Sequence, residues 1–168
     1  MEGRQYLIVQ IEKEMFDSLP IDAVGHACFK PMVPVYQKGM RQRNGQEAYG
    51  FRKQFYMSLS QGQRALLGFF TYYDHAIRSN DEFQRVGNIY VSQHIFGIVK
   101  KAAEYFKDND MCQLLLRIEQ AISANGQNGI MNASLDELYK QLNEIAPQTL
   151  TIIGTCIKEN PMEFICFE

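Results

Sequence analysis

The sequence predicts an all-α fold, a compact bundle of about seven or eight helices in two layers. Three observations predict it. Apolar residues recur at every third or fourth position over most of the chain, the period of a helix that buries one face. A Ser-x-x-Gln and a Ser-x-x-Glu stand just ahead of two of these runs, where a capping box satisfies the first backbone N–H groups. No pair of alternating runs joined by a tight turn occurs, and no β-α-β rhythm. With 168 residues, 46 % hydrophobic and 21 % charged, residues 1–168 are expected to form a single domain around one core.

The first segment admits two readings. Leu7, Ile11, Met15 and Leu19 lie four apart, as on a helix face, yet "YLIVQI" also suits a strand, so residues 5–19 are either. Pro31 and Pro34 interrupt the segment that begins near Ile21, and "RNGQ" around Gly45 breaks the chain before a helix from Glu47 to Met57. Ser60 and Gln63 form a capping box for the next helix, whose stripe is Ala65, Leu66, Phe69, Phe70, Tyr73, Ala76 and Ile77. In "AIRSNDEFQR", Asn80 or Asp81 is placed to cap a new helix that turns Phe83 and Val86 inward.

A second stripe, Val91, Ile95, Ile98, Val99, Ala102 and Phe106, runs through "IYVSQHIFGIVKKAAEYF". Asp108 or Asn109 then caps a helix with Leu114, Leu115, Ile118, Ala121 and Ile122 on its apolar face. "SANGQNGIMNAS" reads as a loop because of its glycines and asparagines. Ser134 and Glu137 make a capping box ahead of Leu135, Leu138, Tyr139, Leu142 and Ile145. Pro147 suits the first turn of a further helix, closed by "KENP" near Asn160.

Charge and motif spacing narrow the function classes. The apolar run Tyr6 to Val9 is shorter than the roughly 7–15 residues of a signal-peptide core or the roughly 20 of a membrane span, so a cytoplasmic protein is expected. Cys28, Cys112, Cys156 and Cys166 form no C-x-x-C pair and are expected to be buried or idle thiols. Net charge is -2, but Lys30 to Lys53 carries +5 and Asp108 to Glu168 carries -6, an asymmetry able to steer a partner or align two copies of the chain.

Glu-x-x-His, His-Glu-x-x-His, G-x-G-x-x-G and G-x-S-x-G are all missing, so no metal, cofactor or catalytic residue is expected and an enzyme is disfavoured. His26, His75 and His94 lie on three segments; a shared metal is conceivable, but boundary residues are the simpler reading. Two low-specificity sites remain. Asp74, Arg78, Asp81 and Glu82 would cluster at one helix junction, with Asp74–Arg78 and Arg78–Glu82 ion pairs if a helix runs through them. Lys38, Arg41, Arg43, Arg52 and Lys53 mix with Tyr49, Phe51, Phe55 and Tyr56 as in a single-strand binder. A pI of about 5.9 and the helical spacing of the aromatics disfavour nucleic acid.

"LSQGQRALLGFFTYYDHAIRSNDEF" resembles the signature of a bacterial family of small all-helical domains, of unknown function, that includes a DNA-mimic protein. In that family a Leu-Ser-x-Gly-Gln-Arg-Ala-Leu helix entry leads to an Asn-Gly-Gly-Phe junction. "LDELYKQLNEIAPQTLTIIGTCIKENPMEF" is similar to its closing helix pair with an Asn-Pro-x-x-Phe element, so the resemblance spans residues 59–168. Asp81 and Glu82 replace the two junction glycines, and only Asn80 and Phe83 carry over. The resemblance implies an intracellular helical domain that binds proteins, often as a dimer. The resulting expectation is a non-enzymatic protein-binding domain, a homodimer, acting on an unidentified protein partner. A ligand-binding or enzymatic site at residues 74–82 and a nucleic-acid surface at 38–53 are the alternatives.

Overall fold

The computed structural model describes residues 9–128 and 132–168, and most of their length is helical, as the apolar spacing predicts. In chain order, β1 (Gln10–Ile11) leads to α1 (Lys13–Ser18), a 3-10 turn (Ile21–Ala23), α2 (Val24–Phe29), α3 (Met32–Met40) and α4 (Gly45–Met57). There follow α5 (Gln61–Ala76), α6 (Asn80–Ser92), α7 (Phe96–Tyr105), α8 (Asn109–Asn128) and α9 (Asn132–Glu159). A second 3-10 turn (Pro161–Glu163) and β2 (Cys166–Phe167) complete the order.

Between the two alternatives for the first segment, the chain takes both in succession. Residues 10–11 pair in parallel with residues 166–167, with Gln10 opposite Cys166, and a helix starts only at Lys13. Phe16 is the buried residue of α1 whereas Met15 is exposed. Leu7 lies outside the described residues. Pro31 precedes α3 and Pro34 stands in its first turn, where a missing N–H costs no hydrogen bond. Gly45 opens α4 at φ +51°, a backbone region that glycine enters without strain.

The central helix is α5, which buries residues from Gly62 to Ala76 against α2, α6 and α7. Its entry is the expected capping box. The Ser60 hydroxyl oxygen accepts from the Gln63 N–H at 3.0 Å, and the Gln63 side-chain oxygen accepts from the Ser60 N–H at 3.0 Å. The same residues hold the C-terminal turn, since Ser60 Oγ donates to the Glu163 carbonyl and Gln63 Nε2 to the Phe164 carbonyl. Gly62 meets this turn so closely that a Cβ would lie 2.6 Å from the Phe164 ring.

Five sequence expectations are corrected. The cap of α6 is Ser79, not Asn80 or Asp81, because its extended backbone lets Oγ accept from the Glu82 N–H at 3.1 Å. Phe83 and Val86 do face inward. The stripe from Val91 to Phe106 is broken at His94, whose φ of 57° reverses the chain; His94 N–H bonds the Val91 carbonyl and Ile95 N–H the Tyr90 carbonyl, a Schellman closure. Ile98 is consequently exposed rather than core.

Within the loop expected over residues 123–134, α8 continues to Asn128 and α9 begins at Asn132, and residues 129–131 lie outside the described residues. The α8–α9 pairing, in which Ala121 and Ala124 share a groove with Ser134 and Leu138, outweighs the weak helix propensity there. Ser134 therefore sits inside α9 and does not cap it. Pro147 also lies inside α9 rather than starting a new helix. It is on the solvent side, where water can serve the carbonyl its missing N–H leaves open, while Leu142, Ala146, Ile153 and Ile157 bury the other side throughout.

Asp108 caps α8, as one of the two expected residues. Its Oδ1 accepts from the Met111 N–H at 3.0 Å, and its Oδ2 accepts from the Thr149 hydroxyl of α9 at 2.6 Å. Both side chains are buried, so each satisfies the other.

Candidate functional site

The junction after α5 does not gather its four charged residues into one cluster. Because α5 ends at Ala76, no helix runs through residues 74, 78 and 82, and neither expected ion pair forms among the described residues. Asp74 turns to α2, its Oδ1 2.7 Å from His26 Nε2, with the imidazole lying 4.2 Å from the Phe70 ring. Glu82 instead receives Nε and Nη2 of Arg85, both at 2.8 Å. That hydrogen-bonded guanidinium, with the weaker fields of His75 and Arg78, holds the Glu82 carboxyl below its ordinary pKa. Arg78 and Asp81 are exposed.

A His–Asp pair of this kind orients an imidazole for proton transfer in many hydrolases. Among the described residues no Ser, Thr or Cys side chain is seen hydrogen-bonded to His26. His75 Nδ1 is 3.9 Å from Glu82, and His94 lies away at the α6–α7 corner. No group of three His, Cys, Asp or Glu side chains among the described residues is placed to hold a metal ion.

The basic segment folds as a hairpin of α3 and α4. Lys38, Arg41, Arg43, Arg52 and Lys53 are all exposed. Their aromatic neighbours divide: Tyr36, Phe51 and Phe55 pack on one another inside the hairpin, with ring centroids 5.3–6.1 Å apart, while Tyr49 and Tyr56 face outward. Arg43 lies over the Phe51 ring at 4.9 Å and donates to the Gly39 carbonyl, so it braces the hairpin. A Cβ at Gly39 would fall 1.9 Å from the Phe51 ring, so a larger residue there would require that ring to move.

A third surface was not anticipated. Where α4 ends, α5 and α7 cross closely, and Gly68 makes the approach possible, a Cβ there falling 3.0 Å from the Ile98 side chain. The crossing leaves an open groove of about 470 Å³. Ala65, Gly97, Ile98 and Ala102 lie along it, with Tyr56 and Tyr105 among its walls. Ile98 is 46 % exposed and Tyr56 44 %. Arg64, His94 and Lys101 edge the groove, and no carboxylate lines it.

Each edge residue is placed by a local cause. Arg64 donates Nε to the Tyr56 carbonyl at 3.0 Å and lies 4.8 Å over the Tyr56 ring, which fixes its charge beside the groove. His94 is held by the left-handed turn that ends α6. Lys101 follows Ile98 and Gly97 on the same face of α7 and has no ion-pair partner among the described residues. Burial, aided by Glu163, pushes the Tyr105 phenol up to about 12, so it stays a hydrogen-bond donor at neutral pH.

The exposure of Ile98 was the signal the sequence concealed, because it shares the period of the buried stripe. The four cysteines are free; Cys28 is buried, and burial pushes its thiol up to about 12, while Cys112, Cys156 and Cys166 are partly exposed. No helix among the described residues is long and apolar enough to cross a membrane. No protein-family profile, no curated protein and no solved structure matches this chain.

Proposed function

We propose that this protein is a non-enzymatic binding domain that acts by contact with another protein, and that the groove between α5 and α7 is its working surface. The observation that supports this reading is a nearly half-exposed Ile98 at the centre of a concave strip, flanked by an exposed tyrosine and basic residues. An apolar centre with a polar rim is the usual anatomy of a protein interface. The groove is open along one side, which suits side chains of a larger partner better than a small molecule needing most of its surface enclosed.

The test is site-specific photocrosslinking in cells, with the reactive residue at position 98 or, as a control, at the exposed Met15 of α1. A defined protein adduct is expected from position 98, absent from position 15, and lost when Gly97→Leu fills the groove. A Cβ at Gly97 meets nothing within 4 Å, so the position has room for a side chain, and circular dichroism checks that the variant keeps its helix content. Equal labelling from both positions, or none from position 98, refutes the reading.

A further inference from the structure

We infer that the partner segment seated in this groove is acidic and carries one apolar anchor residue. The inference rests on the groove being the working surface and adds the chemistry of what fills it. Its first ground is charge. Arg64, His94 and Lys101 stand on the rim of one groove, no carboxylate is among its lining residues although Glu163 bears on Tyr105, and Lys101 makes no ion pair with any described residue. The protein as a whole is acidic, with net charge -2, so this rim is a local reversal of sign. Such a rim attracts carboxylates and disfavours basic segments. Lys101 offers an ammonium, Arg64 the Nη1 that its two backbone contacts leave over, and Tyr105 a protonated phenol, three donors suited to carboxylate oxygens.

The second ground is the floor. Ala65, Gly97, Ile98 and Ala102 are small or aliphatic, and nothing lies within 4 Å of the place a Cβ on Gly97 would take, so the floor has room there for a side chain. One leucine, methionine or phenylalanine side chain resting there would cover Ile98, and acidic residues a turn away on the partner would meet the rim. This is the spacing an amphipathic helix supplies.

The same observations favour a peptide over a nucleic acid. A strand of phosphates binds best where several aromatic faces stand free for stacking. Tyr56 has one face covered by Arg64, and Tyr105 packs edge-on against Phe106 at 5.2 Å. The aliphatic floor offers a base neither a stacking face nor a hydrogen bond.

Selection of short random-sequence peptides displayed on phage against the full-length chain, with counter-selection on the Gly97→Leu variant, tests the occupant. Enriched peptides should share an excess of Asp and Glu around one large apolar residue. A labelled member should lose at least about tenfold in affinity to Lys101→Glu and to Ile98→Ser, and weaken as salt rises. Both substituted residues are exposed on α7, and circular dichroism checks that each variant keeps its helix content. Neutral or basic consensus peptides, enrichment that survives on Gly97→Leu, or no enrichment at all would overturn the inference. So would tighter binding of an oligothymidine probe than of the best peptide, or a crosslink from position 98 to a second copy of this chain. A protein adduct at position 98 together with a non-acidic consensus leaves the working surface in place and removes only the acidic occupant.

Discussion

The link between Asp108 and Thr149 is the place where one side chain holds two long helices, and it yields a sharp energetic prediction. Asp108 contributes a helix cap, worth about 1 kcal/mol, and a charge-assisted hydrogen bond to a buried hydroxyl, worth about 1.5–3 kcal/mol. Its side chain and that of Thr149 belong to residues only 3 % exposed, so water does not substitute for either. Asp108→Ala is therefore expected to cost about 3 kcal/mol, and in a chain of 168 residues each kcal/mol lowers Tm by roughly 2–4 °C. Thr149→Val keeps the shape but leaves Oδ2 unpaired, a loss of about 1–3 kcal/mol. In the double variant the Thr149 hydroxyl and its acceptor vanish together. The two costs should thus fall short of adding by about 1 kcal/mol or more. Asp108→Asn keeps the cap and should be the mildest of the set. Urea unfolding followed by far-ultraviolet circular dichroism measures each, with the m-value unchanged. Additive costs, or an Asp108→Ala loss below about 0.5 kcal/mol, would show that the contact between α8 and α9 is not made through this pair.

Four further outcomes follow from the packing. Gly50→Ala on α4, where a Cβ meets nothing within 4 Å, should stabilise by about 0.5–1 kcal/mol. Gly154→Ala should destabilise strongly, since its Cβ would lie 1.8 Å from the Ile21 carbonyl oxygen; thermal melts of the pair separate the two. Pro147→Ala restores a backbone hydrogen bond inside α9 and should raise stability by about 2 kcal/mol, the helix gain of about 3 less the unfolded-chain entropy that proline removes. Cys28 should resist thiol reagents at pH 8 in the native protein while the more exposed cysteines react. Its folded pKa is raised to about 12 by burial, whereas the unfolded thiol ionises near about 8.5. Between those values only the unfolded state has lost the proton, so stability falls as pH rises through the window, and Cys28→Ala should flatten that part of the alkaline slope.

What could be read from the sequence was whatever a short window decides. The capping box of Ser60 and Gln63 and the Asp108 cap of α8 each involve residues three apart, so local chemistry settles them. Phe83 and Val86 turned inward because their period matched a helix already started by Ser79. One miss was local, the cap of α6 falling on Ser79 rather than on Asn80 or Asp81, and the others were non-local. Pro147 was expected to begin a helix, yet burial on the opposite face of α9 carries the helix through it. Asp74 found His26 forty-eight positions away instead of Arg78 four positions on. The groove itself is assembled from the corner of α4, one face of α5 and one face of α7. Ile98 could be distinguished from a core residue only once His94 had turned the chain and set the angle of α7.

The two-residue ladder between Gln10 and Cys166 joins segments that stand on either side of every described helix. Val9, Ile11 and Phe16 are buried, and Phe167 of β2 packs edge-on against the Phe16 ring at 5.3 Å, so part of their cover leaves the ribosome only after every helix between them. That clasp is closed by the amide of Cys166 on the Val9 carbonyl at 2.8 Å. Its protection from deuterium would serve as a clock for completed folding, and the interval before it shuts is when a chaperone would have most to hold.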